Sequence, residues 1–353
     1  MLPWKAEQEV DVRHLLLFFA SCGSLAYGQT VPSQKPDFHI SRRPEIPRSP
    51  VLPKTLEASS MKLVAAPDFA GLGTPVCDDD GNVFYHVGRI ANYDDSTILR
   101  FSSSGDQYQV FKLPPDVAGS GIFGAFNVTP SGKLWISVFN QNGENLVYGF
   151  DSKGEVTSRV RYEVPEFLQP RLLAAFETDF FLLKGFFATA AGPKLANKSY
   201  AAILEPSGQV VRELSLNLPD VDSKSERKSL PEGGIAVGSD GNAYLLLPDR
   251  VVVISQSGEL VRQLSFEKPD REARATNVYV SGGLVAVDLS RSRKNAIDTT
   301  ILVLDANTGD TVGYYEPSKE LGNNLICFSR AQGFTFLGPF ERDKLKLQTA
   351  ALR

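Results

Sequence analysis

Short apolar runs separated by turn-forming residues recur along most of this chain. The segment 233–266 is the clearest case: it holds four apolar runs, and Asp-Gly, Pro-Asp and Ser-Gly pairs separate them. Glycine and aspartate supply the positive-φ positions that tight turns between antiparallel strands require. The pattern therefore predicts an up-and-down sheet of four strands over residues 233–266.

Two families of turns repeat this unit along the chain. The glycines of the first family lie about fifty residues apart, a period that indicates stacked supersecondary units. They are Gly105, Gly154, Gly208, Gly258 and Gly309. The second family falls between the first and second strands of each unit, at 78–81, 129–132, 177–179, 238–241, 281–283 and 330–333. Together the two families predict six units.

The sixth unit lacks a fourth strand. Apolar runs near 325–328, 334–337 and 345–351 supply three strands, and no further run follows them in the sequence. The apolar segment 61–66 precedes the first unit, so we expect it to complete the sixth sheet. The sequence thus predicts an all-β fold, a six-bladed β-propeller with an N-terminal strand closing the last blade.

The fourth unit resembles a known repeat. Asp240-Gly-Asn-Ala-Tyr244, followed by Arg250-Val-Val-Val-Ile-Ser-Gln-Ser-Gly-Glu-Leu-Val-Arg262, is similar to an NHL-type repeat. The wider relatives are six-bladed propellers of the NHL and SMP-30/gluconolactonase kind. That resemblance implies a divalent metal in the central channel, held by carboxylate and amide oxygens, as in the lactonases. Unit three departs from the pattern, since Phe180-Phe-Leu-Leu stands where the other units have a glycine turn.

Composition narrows the classes of function. The 353-residue chain is 42% hydrophobic and 22% charged, as expected of a globular protein, and its net charge of −4 gives no attraction to phosphate backbones. We therefore expect no nucleic acid partner. Of three histidines, only His86 lies in the predicted propeller, which disfavours zinc sites and Ser-His-Asp triads.

The N-terminal residues resemble a targeting segment. Residues 1–28 carry a short apolar core at 15–20 and small residues near Gly28, which predicts a secretory signal peptide cleaved before Gln29. The alternative reads 19–22 as a lipobox, with Cys22 as a lipidated anchor. Either way the protein is expected to be extracytoplasmic, periplasmic or secreted, without a transmembrane segment. Residues 29–60 predict a disordered, proline-rich linker, and residues 61–353 the propeller.

Loop length predicts where a ligand would bind. In such propellers the two tight-turn families share one rim, and the other connections share the opposite rim. These longer connections are 86–97, 139–145, 185–199, 290–298, 114–125, 164–171, 218–234, 267–275 and 316–324. Long loops on a rigid scaffold commonly carry binding sites, so we predict a site on that rim and at the channel mouth. The alternative is that the loops are tolerated insertions.

Candidate ligand-binding residues on this rim are Arg89, Tyr93, Asp94, Asn127, Asn140, Arg171, Phe186, Phe187, Lys194, Asn277, Arg291, Arg293, Asn323 and Asn324. The group at 89–94 would contact a polar ligand or be solvated, and 186–194 would form an apolar lid or pack under the loop. The cluster at 291–294 would meet an anion or be solvated. Four asparagines, Asn127, Asn277, Asn323 and Asn324, lie near the starts of innermost strands and would offer amides to the channel or to backbone groups.

Catalytic and metal-binding residues are sparse. Glu177 is the one non-turn carboxylate expected on an inner strand, and it lies beside the tight-turn rim. The run at 78–80 predicts either a calcium site or a polar turn. His86 would act as a general base only beside a nucleophile. We expect no catalytic residue and no cofactor, with a divalent cation such as calcium as the alternative.

Cys77 and Cys327 occupy similar places on the first strands of units one and six. A disulfide there would reinforce the seam in an oxidising compartment. However, equivalent positions point the same way around a ring, so we expect two buried free thiols.

The sequence therefore favours an exported, monomeric, non-enzymatic propeller that binds a protein, peptide or glycan through its long-loop rim. The alternatives are an SMP-30-like metal-dependent hydrolase or lactonase and a structural envelope protein.

Overall fold

The structure is a computed structural model, and it describes residues 52–65, 69–71, 75–89, 92–102, 108–112, 114, 123–139, 144–215, 233–293, 296–338 and 344–352. All of them belong to one compact unit, residues 46–353.

The described strands form six radial sheets, and each sheet is one blade. Two strands precede the first blade in the chain, β1 (Lys54–Leu56) and β2 (Ser60–Ala65). Blade one contains β3 (Phe69–Gly71), β4 (Val76–Cys77), β5 (Val83–Arg89), β6 (Asn92–Phe101) and β7 (Tyr108–Lys112). Blade two contains β8 (Phe123–Val128), β9 (Leu134–Phe139), β10 (Asn145–Phe150) and β11 (Val156–Arg161). Blade three contains β12 (Leu168–Ala175), β13 (Phe181–Phe187), β14 (Ser199–Leu204) and β15 (Val210–Glu213).

The second half of the ring repeats the same order of strands. Blade four contains β16 (Ile235–Val237), β17 (Ala243–Leu247), β18 (Arg250–Ile254) and β19 (Leu260–Ser265). Blade five contains β20 (Arg274–Ser281), β21 (Leu284–Arg293), β22 (Ala296–Asp305) and β23 (Thr311–Pro317). Blade six contains β24 (Leu325–Ser329), β25 (Gly333–Leu337) and β26 (Lys344–Ala350). The predicted all-β, six-bladed propeller is confirmed.

Blade six is completed from the N-terminal side of the chain. Strand β2 pairs antiparallel with β26, with Met61 opposite Gln348 and Leu63 opposite Lys346. The backbone N–H of Ser59 donates to the carbonyl of Thr349 at 2.7 Å and extends this ladder by one step. The predicted closing strand is therefore confirmed.

Apolar clusters fill the gaps between neighbouring blades all the way around the ring. Val251 and Val253 of β18 face the cluster between blades four and five, whereas Val252 and Ile254 face the one between blades three and four. This double burial explains why the strand is apolar at consecutive positions. The seam between blades six and one has its own cluster, so the ring is closed by packing as well as by β2.

A further strand lies in the segment for which the sequence predicted no fold. β1 pairs in parallel with β23 at the outer edge of blade five, with Lys54 opposite Tyr315. Leu56 is only 4% exposed and joins the cluster between blades five and six. The structure thus anchors residues 54–56, because Leu56 finds an apolar gap to fill; the linker up to residue 51 lies outside the described residues.

The unit-three turn is tight although it lacks glycine. Asp179 has a φ of 64°, and the N–H of Phe176 donates to the carbonyl of Phe180 at 2.9 Å. In the corresponding turn of blade four, Gly241 has a φ of 76°. Aspartate tolerates the left-handed region better than most residues, so the repeat is kept.

Cys77 and Cys327 form a disulfide, with Cα atoms 5.5 Å apart, and the expectation of free thiols is wrong. Cys77 lies opposite Val83, directly before the turn between β4 and β5 of blade one. At the corresponding place before the turn of blade six, Phe328 lies opposite Phe334. Cys327 therefore lies one residue farther from its turn than Cys77 does. Successive side chains on a strand face opposite sides, so Cys77 faces blade six and Cys327 faces blade one.

Two of the predicted long loops are strand extensions instead. Arg89 pairs with Asn92 at the end of the β5–β6 hairpin, and Arg293 pairs with Ala296 at the end of β21–β22. At the end of the β21–β22 hairpin, Ser292 and Arg293 are both exposed, although they lie on opposite faces of the strand. The polar sequence of this hairpin end therefore gives no period-2 signal, and the pattern resembles that of a loop.

Candidate functional site

The connections between second and third strands, together with those between blades, form what we call the long-loop rim. Its longer described parts are 163–167, 188–198, 266–273 and 318–324. The longest described connection within a blade is 188–198, between β13 and β14 of blade three.

This blade-three loop is held by its own backbone. The N–H of Asn197 donates to the carbonyl of Phe187 at 2.8 Å, and the N–H of Phe187 donates to the carbonyl of Lys198 at 3.0 Å. A short 3₁₀ helix, Thr189–Ala191, begins the loop. These hydrogen bonds continue the β13–β14 ladder, so the loop has a defined shape that can present side chains to a ligand.

Phe167 is an exposed aromatic residue beside this loop. Its backbone has a φ of 64°, its side chain is 46% exposed, and its carbonyl accepts from the N–H of Ala188 at 2.9 Å. A bulky residue in the left-handed region is strained by about 1–2 kcal/mol. The ring is only partly buried, so packing does not fully offset that strain. Strained residues are common at binding sites, and Phe167 is therefore a candidate contact residue that the sequence analysis missed. It lies within the connection 164–171 that the sequence analysis assigned to the rim, but no sequence feature distinguished it from its neighbours.

Arg171 lies at a β-bulge of the innermost strand β12, between Pro170 and Leu172. Bulges change the direction of a side chain and are common next to binding sites. The exposed Arg171 places its guanidinium 4.8 Å from the ring centroid of Phe186, a cation–π contact that holds the charge in place.

Phe186 and Phe187 do not form the predicted apolar lid. Phe186 is 7% exposed under Arg171, and Phe187 packs edge-on against Tyr200 with ring centroids 5.9 Å apart. Lys194 is exposed on the loop. Phe186 therefore packs under the loop, which was the alternative prediction. The apolar side chain that the loop exposes is Leu195, at 43% exposure.

Cations on the rim differ between blades three and five. Arg291 pairs with Asp270 and Glu272 across an inter-blade connection, and Arg293 pairs with Asp298. The predicted basic cluster is thus neutralised by carboxylates where the structure describes it. By contrast, the exposed cations of blade three have no carboxylate within 4.0 Å among the described residues. They are Arg171, Lys194 and Lys198.

Asp288 is a buried carboxyl group between blades five and six. It lies on β21 opposite Asn277 and is 5% exposed. The hydroxyl of Ser290 donates to its Oδ1 at 3.0 Å, and the hydroxyl of Thr276 donates to its main-chain carbonyl at 3.2 Å. Burial raises the pKa of Asp288 to about 6. Sequence analysis missed it, although an acidic residue in the apolar run of β21 was a visible signal.

The four asparagines have different surroundings. Asn127 lies near the end of β8, instead of near its start, and its side-chain oxygen accepts from the N–H of Ala175 in blade three at 3.5 Å. Asn277 is half-buried on β20 after a bulge. The amide of Asn323 donates to the carbonyl of Ile297. Asn324 is exposed just before β24. Asn127 and Asn323 therefore satisfy backbone groups, the second of the two predicted roles.

The tight-turn rim carries the remaining predicted carboxylates. Asp78 accepts from the backbone N–H and the side-chain amide of Asn82 at 2.8 and 2.7 Å, as a polar turn does. Glu177 lies in the turn after β12, not on the strand, and accepts from the N–H and hydroxyl of Ser131 in blade two at 2.8 and 2.7 Å. Within the described ranges, no three His, Cys, Asp or Glu residues are grouped to hold a metal ion.

The other predicted residues are placed only in part. His86 is buried on β5, and burial lowers its pKa to about 4. Arg89, Tyr93 and Asp94 lie on β5 and β6, and their side chains are outside the described part of the structure. Asn140 lies outside the described residues altogether. Over the residues that are described, no helix has both the length and the apolar character needed to cross a bilayer.

Comparison with known proteins gives similarity in architecture. No protein-family model matches the chain, and no curated protein matches it. A gluconolactonase from Xanthomonas campestris is 15% identical, with 88% of this chain and all of that chain covered (100%) and a TM-score of 0.47. A candidate gluconolactonase is 13% identical over 84% of this chain and 96% of that chain, with a TM-score of 0.48.

A third solved structure, a protein of unknown function from Bacteroides caccae, is 14% identical over 69% of this chain and 80% of that chain, with a TM-score of 0.43. None of these similarities carries an argument about activity. The six-bladed fold that the resemblance implied is confirmed by the strand order, and gluconolactonases are among the solved propellers to which this chain is similar.

Proposed function

We propose that this chain is an exported, non-enzymatic propeller that binds a protein, peptide or glycan on its long-loop rim. The observation that carries the proposal is the surface of blade three, where a strained, exposed aromatic residue lies on the same rim as cations that have no carboxylate partner among the residues the structure describes. Aromatic and arginine side chains are the residue types that contribute most to binding free energy at interfaces.

The disulfide supports export. A bond between Cys77 and Cys327 persists in oxidising compartments and is rare in the cytosol. Together with the predicted leader at 1–28, it favours a periplasmic or secreted protein. N-terminal sequencing of the protein recovered from each cell fraction tests this location, and cleavage before Gln29 is the expected result.

Shortening the 188–198 loop tests the binding role. Protein with the loop replaced by a tight turn, and protein carrying Val211→Ser on the outer strand of the same blade, are used as baits in one extract. Val211 is 51% exposed but far along the blade from the rim. We expect the loop variant to lose partners that both the native protein and the Val211→Ser variant retain. Equal recovery by all three would count against the rim, and the absence of any partner would favour a structural envelope role.

A metal-dependent lactonase is the second candidate, and Asp288 is the observation that favours it. Burial raises the pKa of this carboxyl to about 6, so it would exchange a proton near neutral pH if a substrate reached it. The test is hydrolysis of simple sugar lactones with added calcium, magnesium or zinc, compared with Asp288→Asn. Turnover that requires both the metal and Asp288 would establish an enzyme in place of the binding protein.

A further inference from the structure

We propose that blade three recognises a peptide segment in which an apolar side chain lies a few residues from a carboxylate. This inference rests on the proposed function and names the chemistry of its ligand. The surface concerned, which we call the blade-three patch, comprises Phe167, Arg171, Lys194, Leu195 and Lys198.

The exposed apolar residues of the protein fall into separate sets, and the patch is distinct from the others. Most of those described lie on outer strands of the blades, as Val156, Val211 and Val261 do. Such scattered valines are ordinary on exposed strand edges. Phe167, in the connection that enters blade three, and Leu195, in the loop within that blade, are instead on the long-loop rim at 46% and 43% exposure. Ile297, 41% exposed, lies at the rim end of blade five, where Arg291 and Arg293 are paired with carboxylates. Phe167 and Leu195 supply the apolar half of a binding surface.

The cationic half is oriented before a ligand arrives. Arg171 rests on the ring of Phe186 at 4.8 Å, so its guanidinium keeps one plane and can donate two parallel hydrogen bonds to a carboxylate. Lys194 and Lys198 add exposed ammonium groups on the loop. The acidic residues nearby, Glu163 and Glu166, precede Phe167 on the inter-blade connection and form no ion pair with these cations within the described structure.

The spacing follows from the strand ladder. Phe167 is bonded through its carbonyl to Ala188, and Lys198 is bonded through its carbonyl to Phe187, so the two flank the β13 end of the blade from opposite sides. Two strand separations amount to about 10 Å, which about three residues of an extended peptide span. A peptide crossing the end of the blade would therefore place its apolar and acidic side chains about two to four residues apart.

The strain at Phe167 gives a variant that separates binding from folding. Glycine adopts a φ of 64° without the steric conflict of a side chain. Phe167→Gly is therefore expected to fold with an unchanged or higher melting temperature while it loses the aromatic contact. Reduced binding without reduced stability is a result that a purely structural role for Phe167 does not give.

The test is selection of short random peptides displayed on phage against the full chain, followed by titration of a fluorescent synthetic copy by anisotropy. We expect the selected peptides to carry Asp or Glu within a few residues of Leu, Ile or Phe. Phe167→Gly and Arg171→Gln should each weaken their binding by about tenfold or more. Arg171→Gln should also reduce the salt dependence of the affinity. Val211→Ser should bind as the native chain does.

The proposal is overturned if no peptide is selected, if the selected peptides lack a carboxylate, or if they bind the Phe167→Gly and Arg171→Gln variants as well as the native chain. Binding of polygalacturonate in place of peptides would overturn it in favour of an acidic glycan. Each of these results leaves the rim-binding function standing if shortening the 188–198 loop still removes partners. Loss of that loop dependence would refute the broader function instead.

Discussion

Cys77 in blade one is bonded to Cys327 in blade six, although 250 residues separate the two in sequence. The bond crosses the seam at which the ring closes, and it lies close to two further links between the same blades. The hydroxyl of Ser329 donates to the carbonyl of Asp79 at 3.0 Å, and the amide of Gln332 donates to the carbonyl of Asp80 at 2.7 Å. Closure therefore depends on β2, on the disulfide and on these hydrogen bonds together.

Removal of the disulfide should destabilise the ring without opening it. We expect Cys77→Ser with Cys327→Ser to lower the free energy of unfolding by about 2–5 kcal/mol, since a covalent link across so long a loop restricts the unfolded chain. Urea unfolding with and without reductant measures this. The double variant should not respond to reductant, whereas the native chain should. An equal midpoint for the reduced and oxidised native chain would show that the bond contributes nothing.

Leu56 should anchor the N-terminal segment to the propeller. Leu56→Ala is expected to lower the free energy of unfolding by about 2–4 kcal/mol, because the residue is 4% exposed between blades five and six. Leu52→Ala is the matched control, since Leu52 is 82% exposed and its truncation should cost less than about 0.5 kcal/mol. Similar effects of the two substitutions in urea unfolding would contradict the role given to β1.

Asp288 should make the protein less stable as the pH rises. Its pKa in the folded state is raised from 3.8 to about 6, so the folded protein holds the proton more tightly than the unfolded chain. Below pH 3.8 both the folded and the unfolded chain hold this proton, and Asp288 does not reduce the free energy of unfolding. Between pH 3.8 and about 6 the unfolded chain releases the proton while the folded protein keeps it, so the free energy of unfolding falls. Above that range, Asp288→Asn should be more stable than the native chain by up to about 3 kcal/mol.

Asp151→Asn is the control for this pH dependence. Hydrogen bonds from the backbone N–H groups of the turn, that of Glu155 foremost, lower the pKa of Asp151. Its contribution to stability is therefore present at neutral pH and is lost as the pH falls, the opposite direction from Asp288. Unfolding curves over a pH series measure both residues, and a native chain whose stability does not differ from that of Asp288→Asn between pH 4 and 7 would rule out the assigned burial effect.

Two turn glycines should respond differently to alanine. A Cβ at Gly208, where φ is 92°, would lie 2.1 Å from the carbonyl oxygen of Arg161, so Gly208→Ala should cost about 3 kcal/mol or more. At Gly241, with a φ of 76°, a Cβ would meet nothing within 4 Å, and Gly241→Ala should cost about 1–2 kcal/mol from backbone strain alone. Thermal melting of both variants measures the difference, and equal losses would refute the close approach at Gly208.

The sequence predicted the rim on which the candidate site lies but only some of its residues. The choice of the long-loop rim depended on loop length, which the sequence shows, and Arg171 was named on that ground. Phe167, Leu195 and Asp288 were missed, because exposure, backbone strain and burial depend on neighbours that are distant in sequence. The ion pairs of Arg291 and Arg293 likewise needed the positions of Asp270, Glu272 and Asp298 in space.

The sequence by itself determined the repeat, the number of blades and the strand that closes the ring. These features follow from local rules: short apolar runs define strands, and glycine or aspartate at positive φ defines turns. Tertiary structure alone decided that Cys327 faces Cys77, that Leu56 is buried and that Asp288 holds its proton near neutral pH. Cys327 lies one residue farther from its turn than Cys77 does, which reverses the direction of its side chain. Whether the two thiols then meet depends, as burial does, on which blades are neighbours, and a single segment does not show that.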